Sequence, residues 1–203
     1  MRAIIVCGGD CPPELLPQRS ADTYIIAADS GLKHLQRAGI APDLVIGDFD
    51  SLGYTPEGAE VLPTHKDDTD LIAAARCAIS AGAQELVFYG ALGGARFSHS
   101  LAAVQALGFA AEQGAGASLV DARCTVRVLR GERRYPAGTR GLLSVFALTG
   151  AACVTLRGLE YPLERHTLTP LFPLGVSNAF TGAEAVITVH SGTVILVEEP
   201  GAT

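Results

Sequence analysis

Two short acidic runs, GDFDS at residues 47–51 and KDDTD at residues 66–70, contain the side chains of this sequence that are best suited to chemistry. Together they hold five aspartates, and an unpaired carboxylate is costly to remove from water. A hard cation such as Mg²⁺ prefers oxygen ligands and often binds between one or two carboxylates and the phosphates of a substrate. The two runs therefore predict a magnesium–phosphate site.

The segments around these runs alternate between apolar strands and helical patterns. Continuous apolar runs are typical of parallel strands that are buried on both faces. We expect strands at residues 3–7, 24–28, 44–46, 61–63, 85–89 and 118–121, and helices at residues 32–38, 71–81 and 98–113. This order predicts a doubly wound, mostly parallel α/β sheet with helices on both faces over residues 1–122.

After residue 122 no helical period follows, and glycines and prolines separate short apolar strands. We expect these strands at residues 125–129, 142–146, 153–156, 185–189 and 194–197, with residues 190–193 as a hairpin turn. The pattern predicts a second domain over residues 123–203, an antiparallel β-sandwich.

Asp29, Asp48 and Asp50 all follow predicted strands, and open parallel sheets bind ligands beyond the carboxyl ends of their strands. Asp48 and Asp50 point to the same side of an extended segment. A solvated turn is the alternative, but two carboxylates this close repel each other unless a cation holds them, which favours metal binding. Asp29 is followed by Ser30 and Gly31, and a plain helix cap is the other interpretation of that junction.

The KDDTD run precedes a predicted helix, so its acidic residues also suit the positive end of the helix dipole. Thr69 or Asp68 is the expected cap of that helix. Capping explains one or two of the aspartates but not all three. It also leaves Lys66, whose compact charge suits a phosphate.

A glycine-rich loop with Gly93, Gly94 and Arg96 joins a predicted strand to a helix. Backbone N–H groups, a helix N-terminus and a guanidinium together form a site for anions. No Gly-Lys-Ser/Thr follows, so this is not the phosphate-binding loop of the common nucleotide hydrolases. His99, in the helix, is either a site residue or a core histidine.

In the second domain, a long loop over residues 168–178 ends in Ser177 and Asn178. Both side chains can form a hydrogen bond with a small polar ligand. By themselves they are also an ordinary turn signal.

The bulk composition argues against several classes of function. A net charge of −6 over 203 residues disfavours a nucleic-acid partner, which needs a basic face on the protein. We expect no membrane association, because no apolar run is long enough to cross a bilayer and the N-terminus lacks the apolar core of a signal peptide. The five cysteines are scattered without zinc-ligand spacing, so we expect reduced thiols in a cytoplasmic protein.

The order of these motifs resembles the thiamine pyrophosphokinase family. The GDFDS and KDDTD runs are the most specific parts, and the weaker DSG, GGAR, GLEYPL and GVSN segments occur in the expected order. The resemblance covers nearly the whole chain. It implies an α/β domain followed by a β-sandwich, and transfer of a pyrophosphoryl group from ATP to thiamine with Mg²⁺. It also implies a homodimer that binds thiamine between its subunits.

The resemblance suggests which carboxylates act. Asp48 and Asp50 match the aspartates of the family's metal and phosphate site, and Asp29 matches the acidic residue of its first strand–helix junction. We expect Asp48, Asp50 and one of Asp67 or Asp70 to hold Mg²⁺. Either Asp70 or Asp29 is then the acceptor of the proton from the attacking hydroxyl.

The resemblance also suggests which residues bind the substrates. Arg96 and Lys66 are expected on the polyphosphate, whereas Ser177 and Asn178 match the Ser-Asn pair that lines the family's thiamine pocket. The full set expected to contact ATP or thiamine is Ser30, Gly31, Ser51, Lys66, Thr69, Gly93, Gly94, Arg96, His99, Ser177 and Asn178.

Three positions depart from the family's pattern. The family's loop usually runs Gly-Gly-Arg-x-Asp-His, whereas here Ala95 precedes Arg96 and Ser98 replaces the aspartate. Ala103 stands where the family has an asparagine. We therefore expect the contact that the family's aspartate makes, near the phosphates or the substrate hydroxyl, to be absent or different in this protein.

Two other functions remain open at this level. An Asp-x-Asp pair after an apolar strand also occurs in metal-dependent phosphatases, although here the KDDTD run follows too soon for that class. A sensor that binds thiamine or a nucleotide without turnover is the other alternative, supported by Ser98 alone.

Overall fold

The structure is a computed structural model that describes residues 1–63, 68–94 and 96–201. The chain divides into two compact units, Met1–Ala122 and Arg123–Thr203. Within the described residues, no helix combines the length and the apolar character needed to cross a bilayer.

The first unit is built on a parallel sheet. Its strands are β1 (Arg2–Val6), β2 (Thr23–Ala28), β3 (Leu44–Gly47), β4 (Glu60–Val61), β5 (Glu85–Tyr89) and β6 (Gly116–Val120). They lie in the order β6-β5-β1-β2-β3-β4, and every neighbouring pair is parallel. The predicted mostly parallel sheet is therefore confirmed.

Helices connect these strands: α1 (Gly31–Arg37) follows β2, α2 (Asp70–Ser80) precedes β5, and α3 (Phe97–Glu112) follows β5. Ile4 and Val6 of β1 pack with Leu32 of α1 in one core cluster. The alternate residues Ala3 and Ile5 are fully buried on the opposite face. The right-handed crossovers that are usual in such sheets would place α2 and α3 on that opposite face, and these two helices contact each other.

The strand order changes direction at β1. From β1 the chain proceeds to β2 and β3 on one side, and it returns to β5 and β6 on the other. A parallel sheet has an open crevice at the carboxyl ends of its strands where the order reverses. The fold therefore predicts a ligand site beyond the ends of β1, β2, β3 and β5.

In the second unit, up to residue 201, the structure has six strands: β7 (Thr125–Tyr135), β8 (Gly141–Ala147), β9 (Ala152–Arg157), β10 (Leu163–Leu168), β11 (Gly175–Ala179) and β12 (Ala185–Pro200). All their pairings are antiparallel. The predicted second β domain is confirmed at this level. The loop before Ser177 and Asn178 is shorter than expected, because these two residues belong to β11.

The predicted hairpin turn at residues 190–193 is wrong. β12 continues through these residues as one strand of 16 residues. Its first part pairs with β9 and its last part, from Val194, pairs with β8, while β7 pairs with both parts. The register shifts between Val189 and Val194, and Gly192 has a φ of +81°. The glycine therefore belongs to an irregularity within a strand rather than to a turn between two strands.

A partly buried charge network joins β12 to β7. Glu198 accepts hydrogen bonds from Arg127 Nε at 3.0 Å, from Arg133 Nε at 2.9 Å and from the Tyr135 hydroxyl at 2.7 Å. Burial and the neighbouring Glu198 raise the pKa of Tyr135, so its hydroxyl remains a donor at neutral pH. The network therefore compensates a carboxylate that would otherwise be costly to bury.

Gly31→Ala is expected to destabilise the protein by at least about 2 kcal/mol, because an added methyl group overpacks the junction between β1 and α1. A Cβ on Gly31 would lie 1.9 Å from the carbonyl oxygen of Val6. Urea unfolding measures the change. The matched control is Gly116→Ala, whose Cβ would meet its nearest neighbour at 3.7 Å. This control should stay within about 1 kcal/mol of the parent, and equal losses in both variants would contradict the steric argument.

Candidate active site

A cavity of about 530 Å³ lies at the carboxyl edge of the first unit. It is bounded by the residues that follow β1, β2, β3 and β5 and by the N-termini of α2 and α3. Of the residues predicted from the sequence, those that line it are Asp29, Ser30, Asp48, Asp50, Ser51, Thr69, Asp70, Gly93, Gly94, Arg96 and His99. The sheet thus brings together side chains that are up to 70 positions apart in the sequence.

The other predicted site residues have different locations. Lys66 and Asp67 lie outside the described residues. Gly31 is buried against the end of β1 rather than at the cavity wall, since its Cα approaches the Val6 carbonyl. Ser177 and Asn178 lie on β11 of the second unit.

Three carboxylates form a cluster that fits a divalent cation. One oxygen each from Asp29, Asp48 and Asp50 lies within 4.8 Å of the other two. The sequence predicted Asp48 and Asp50 as metal ligands but assigned Asp29 to catalysis. Among the described residues, the structure adds Asp29 to the pair, whereas Asp70 lines the cavity without belonging to this cluster.

The backbone of Asp29 is held in an unusual conformation. Its φ is +50°, in the left-handed region, where aspartate is better tolerated than most residues. Its N–H donates to the carbonyl of Ile46 at 2.8 Å, which ties it to the end of β3. A Cβ on Gly47 would lie 3.0 Å from the Asp29 Cα, which is tighter than an ordinary contact, so glycine favours this close approach. The close approach brings Asp29 next to the GDFDS run.

The two oxygens of the Asp29 carboxylate are not equivalent. Oδ2 accepts hydrogen bonds from the hydroxyls of Ser51 and Ser30, the latter at 3.3 Å. Oδ1 is buried and has no hydrogen-bond partner among the described residues. A buried carboxylate oxygen without a donor calls for a cation, so the donor set at this cluster fits Mg²⁺. Ser30 uses its hydroxyl here and makes no capping hydrogen bond to α1.

Phe49, which lies between the two aspartates in the sequence, anchors the GDFDS run by inserting its ring into the core. Its side chain is buried in the same cluster as Leu32, and its φ is +59°. Asp48 Oδ1 accepts a hydrogen bond from the backbone N–H of Asp50 at 3.3 Å. Both carboxylates line the cavity, but they do so from a compact turn and not from the extended segment that we expected from the sequence.

The N-terminus of α2 supplies a second acidic wall. Thr69 is the cap of this helix, because its hydroxyl accepts a hydrogen bond from Ile72 N at 3.3 Å. Asp68 forms an ion pair with Arg76 at 3.1 Å instead of capping the helix. Asp70, the first residue of α2, is left facing the cavity.

The glycine-rich loop and α3 supply the positive side. Gly93 donates its N–H to Ser100 Oγ at 3.1 Å, which fixes the loop on the first turn of α3. Arg96 stands at the N-cap position, exposed and at the cavity wall. His99 is exposed as well, which rules out the core interpretation. A guanidinium at a helix N-terminus is suited to an anion.

The charge of the cavity has a chemical consequence. Among the described lining residues, the guanidinium of Arg96 faces a larger number of carboxylates, namely Asp29, Asp48, Asp50, Asp68 and Asp70. A polyphosphate would be repelled by these carboxylates unless divalent cations accompanied it. The cavity is therefore suited to a metal–polyphosphate complex rather than to a bare anion.

Sequence reasoning missed Cys7, which follows β1 and lines the cavity. Its position after a buried strand was the signal that could have identified it. Burial, together with the carboxylates of Asp70 and Asp29 and the thiol of Cys11, raises the pKa of the Cys7 thiol to about 12. The raised pKa therefore favours the protonated thiol of Cys7 at neutral pH and disfavours a role as a nucleophile.

In the second unit, Asn178 is 3% exposed and binds the backbone of Tyr161. Its Oδ1 accepts from Tyr161 N at 2.9 Å, and its Nδ2 donates to Tyr161 O at 2.8 Å. Ser177 is exposed, with a φ of +56°, and its N–H donates to Ser144 Oγ at 3.0 Å. Asn178 thus shapes the local backbone, while Ser177 has its side chain at the surface.

Two family models match the chain. Residues 18–116 match the model described as thiamin pyrophosphokinase, catalytic domain, and residues 130–196 match the model described as thiamin pyrophosphokinase, vitamin B1 binding domain. Together the two matches take in most of the 203 residues. No curated protein sequence matches the chain at a significant level.

Solved structures also resemble the chain over its whole length. The thiamine pyrophosphokinase of Bacillus subtilis has a TM-score of 0.84 and 25% sequence identity, with 100% of both chains covered. The thiamin pyrophosphokinase of Geobacillus thermodenitrificans has a TM-score of 0.79 and 26% identity, with 100% of this chain and 99% of that chain covered. Yeast thiamin pyrophosphokinase, at 14% identity and a TM-score of 0.72, covers 98% of this chain and 86% of its own, and shows the shared fold.

Alkylation of Cys7 by iodoacetamide at pH 8 should be at least about a hundredfold slower in the folded protein than in urea, because only the thiolate reacts. The raised pKa of Cys7 also predicts that the rate in the folded protein keeps increasing up to about pH 12. In the unfolded chain the rate should level off above the ordinary thiol pKa. Mass spectrometry of the peptide that contains Cys7 measures both profiles, and coincident profiles would contradict the raised pKa.

Proposed function

The chain belongs to the thiamin pyrophosphokinase family, and we propose how its residues transfer a pyrophosphoryl group from ATP to thiamine. The products are thiamine diphosphate and AMP. One observation carries the assignment: the carboxylate cluster of Asp29, Asp48 and Asp50 lies in the part of the chain that matches the family's catalytic domain.

The metal-binding role falls to Asp29, Asp48 and Asp50. Their oxygens converge within 4.8 Å, and Asp29 Oδ1 lacks a donor among the described residues. Mg²⁺ bound there supplies neutralisation of phosphate charge, on which phosphoryl-type transfers largely depend. The sequence left Asp70 and Asp29 as alternative bases, and this assignment of Asp29 to the metal gives the role of base to Asp70.

The polyphosphate of ATP is bound on the opposite wall. Arg96 donates to phosphate oxygens, and backbone N–H groups at the N-terminus of α3 are further donors for them. Gly93 shapes the loop instead, because its own N–H is bonded to Ser100 Oγ. Lys66, which lies outside the described residues, is expected to contribute a further positive charge. These groups balance the carboxylates across the cavity.

The transfer step forms one bond and breaks one bond. The hydroxyl oxygen of thiamine bonds to the β-phosphorus of ATP, and the bond from that phosphorus to the oxygen bridging to the α-phosphorus breaks, so AMP leaves. Asp70 accepts the hydroxyl proton. Asp29 is less suited to this role, because one of its oxygens accepts hydrogen bonds from two serine hydroxyls and the other belongs to the proposed metal site. Positioning and electrostatics supply most of the acceleration.

Thiamine is bound with the help of the second unit. This assignment rests on the match of residues 130–196 to the vitamin B1 binding domain. Exposed Ser177 offers a hydroxyl, and Asn178 holds the backbone of Tyr161, whose ring is 63% exposed. An aromatic face suits a cationic heterocycle such as the thiazolium of thiamine.

The second unit also carries the features expected of a homodimer interface. Apolar side chains are rarely exposed in such a number on one short stretch of a monomer. Leu171 is 94% exposed and Phe172 66%, with Leu174 and Val176 also exposed. We propose that a second copy covers these residues and completes the thiamine site. The strands of this unit fit a sandwich, since one core cluster contains residues of both β8 and β9.

Incubation with Mg²⁺, ATP and thiamine should yield AMP and thiamine diphosphate in equal amounts, and Asp50→Asn should slow this reaction by more than about a hundredfold. The fold of the variant should stay intact, because Asp50 is exposed and removing its charge relieves repulsion. The matched control is Asp22→Asn, an exposed position before β2, which should leave turnover unchanged. Chromatography of the nucleotides measures the products.

Three outcomes would contradict the assignment. Release of inorganic phosphate without AMP would favour the phosphatase alternative. Binding of thiamine and ATP without turnover would favour a sensor. Near-normal turnover of Asp50→Asn would remove Asp50 from the metal site.

Phe172→Asp should convert a dimeric protein to a monomer and weaken self-association by at least about a hundredfold, because a charge would enter an apolar contact. Sedimentation equilibrium measures the mass. Tyr54→Asp, at a residue of the first unit that is 50% exposed, is the control and should leave the mass unchanged. A parent protein that is already monomeric would contradict the proposed interface.

A further inference from the structure

We propose that Ser51 is a positioning residue that restricts Asp29 to a single metal-binding oxygen and thereby favours Mg²⁺ over Ca²⁺ at the carboxylate cluster. The inference deepens the proposed function and rests on its assignment of Asp29, Asp48 and Asp50 as metal ligands. From the sequence, Ser51 was expected only to contact the nucleotide.

The hydrogen bonds around Asp29 carry the inference. Each oxygen of a carboxylate has two lone-pair sites. The hydroxyls of Ser51 and Ser30 both donate to Oδ2, so they occupy both sites of that oxygen. Oδ1 is left as the oxygen that is open to a cation.

The backbone of Asp29 is fixed on both sides, which sets the direction from which its carboxylate enters the cluster. Its N–H is bonded to the Ile46 carbonyl at 2.8 Å, and Gly47 packs directly on its Cα. The left-handed conformation at φ +50° is also sparsely populated for a residue other than glycine, so few alternatives are available. The backbone therefore fixes the direction of the side chain, and the two serine hydroxyls bound to Oδ2 orient its carboxylate.

Ser51 is held in place by contacts of its own. Its carbonyl accepts a hydrogen bond from Lys33 Nζ at 3.3 Å, which links the end of the GDFDS run to α1. The buried ring of Phe49 anchors the same run from the other side. The hydroxyl of Ser51 is thus delivered to Asp29 by a fixed segment of backbone.

The number of oxygens that a carboxylate offers distinguishes the two cations. Mg²⁺ demands near-octahedral coordination at short distances and takes one oxygen from a carboxylate. Ca²⁺ accepts six to eight oxygens and readily binds a carboxylate through both of them. Occupying Oδ2 with hydroxyl donors removes the second oxygen and so penalises Ca²⁺ more than Mg²⁺.

The test compares cation affinities of the parent protein with those of Ser51→Ala. Bound Mn²⁺ is followed by its electron paramagnetic resonance signal and displaced with Mg²⁺ or with Ca²⁺, in the absence of ATP and thiamine. In Ser51→Ala, Mg²⁺ affinity should fall by about tenfold, as when an outer-shell partner of a metal ligand is removed. Ca²⁺ affinity should fall by less than about twofold, because the released Oδ2 adds a ligand for it.

Two further variants separate positioning from loss of structure. Ser51→Thr retains the hydroxyl and should keep the parent's ratio of Mg²⁺ to Ca²⁺ affinity. Ser191→Ala removes an exposed serine of the second unit and should change neither affinity. A local loss of structure in Ser51→Ala would lower the affinities for Mg²⁺ and Ca²⁺ by the same factor. The ratio of the two affinities therefore reports on positioning alone.

The outcomes distinguish this inference from the proposed function. If the parent binds Mn²⁺ and Ser51→Ala keeps the parent's ratio, or loses both cations equally, the role of Ser51 is overturned while the metal site stands. If the parent does not bind Mn²⁺, or if Asp50→Asn binds it as well as the parent does, both the proposed metal site and this inference are overturned.

Discussion

Mutual repulsion between Asp29, Asp48 and Asp50 is the constraint on which the catalytic unit depends. Like charges within 4.8 Å of one another oppose folding unless the rest of the structure holds them. Adjacent parallel strands, a glycine at the end of β3 and a left-handed backbone at Asp29 together hold them. A bound cation offsets this repulsion. Relief of the repulsion therefore contributes to the free energy of binding of the metal and its nucleotide.

The elements that follow from local pattern could be predicted from the sequence. Buried parallel strands are continuous apolar runs, and ligands bind beyond their carboxyl ends, so the aspartates that follow these strands were expected at one edge of the sheet. The Asp-Phe-Asp spacing indicated a carboxylate pair that needs a cation, whereas the burial of Phe49 between the two aspartates is known only from the structure. Helix α2 was recognised from its cap and its alanine-rich face.

Features that depend on long-range pairing could not be predicted. Membership of Asp29 in the cluster arises because β2 and β3 are neighbours and Gly47 allows their ends to touch, which no local pattern encodes. Residues 190–193 looked like a turn because glycine and serine are common in hairpins, yet partners on β7, β8 and β9 keep β12 extended. Asn178 likewise binds a backbone 17 positions away, so its side chain gave no sign of that contact.

The long strand β12 has a consequence for the order of events on the ribosome. It supplies hydrogen bonds to β7, β8 and β9, all of which are synthesised before it. Until β12 emerges, those strands have edges without their native partner, and such edges are prone to wrong pairing. The six strands of the first unit have all been synthesised by Val120, whereas β12 ends only at Pro200. Synthesis therefore exposes the second unit to chaperones and to misfolding for longer than the first.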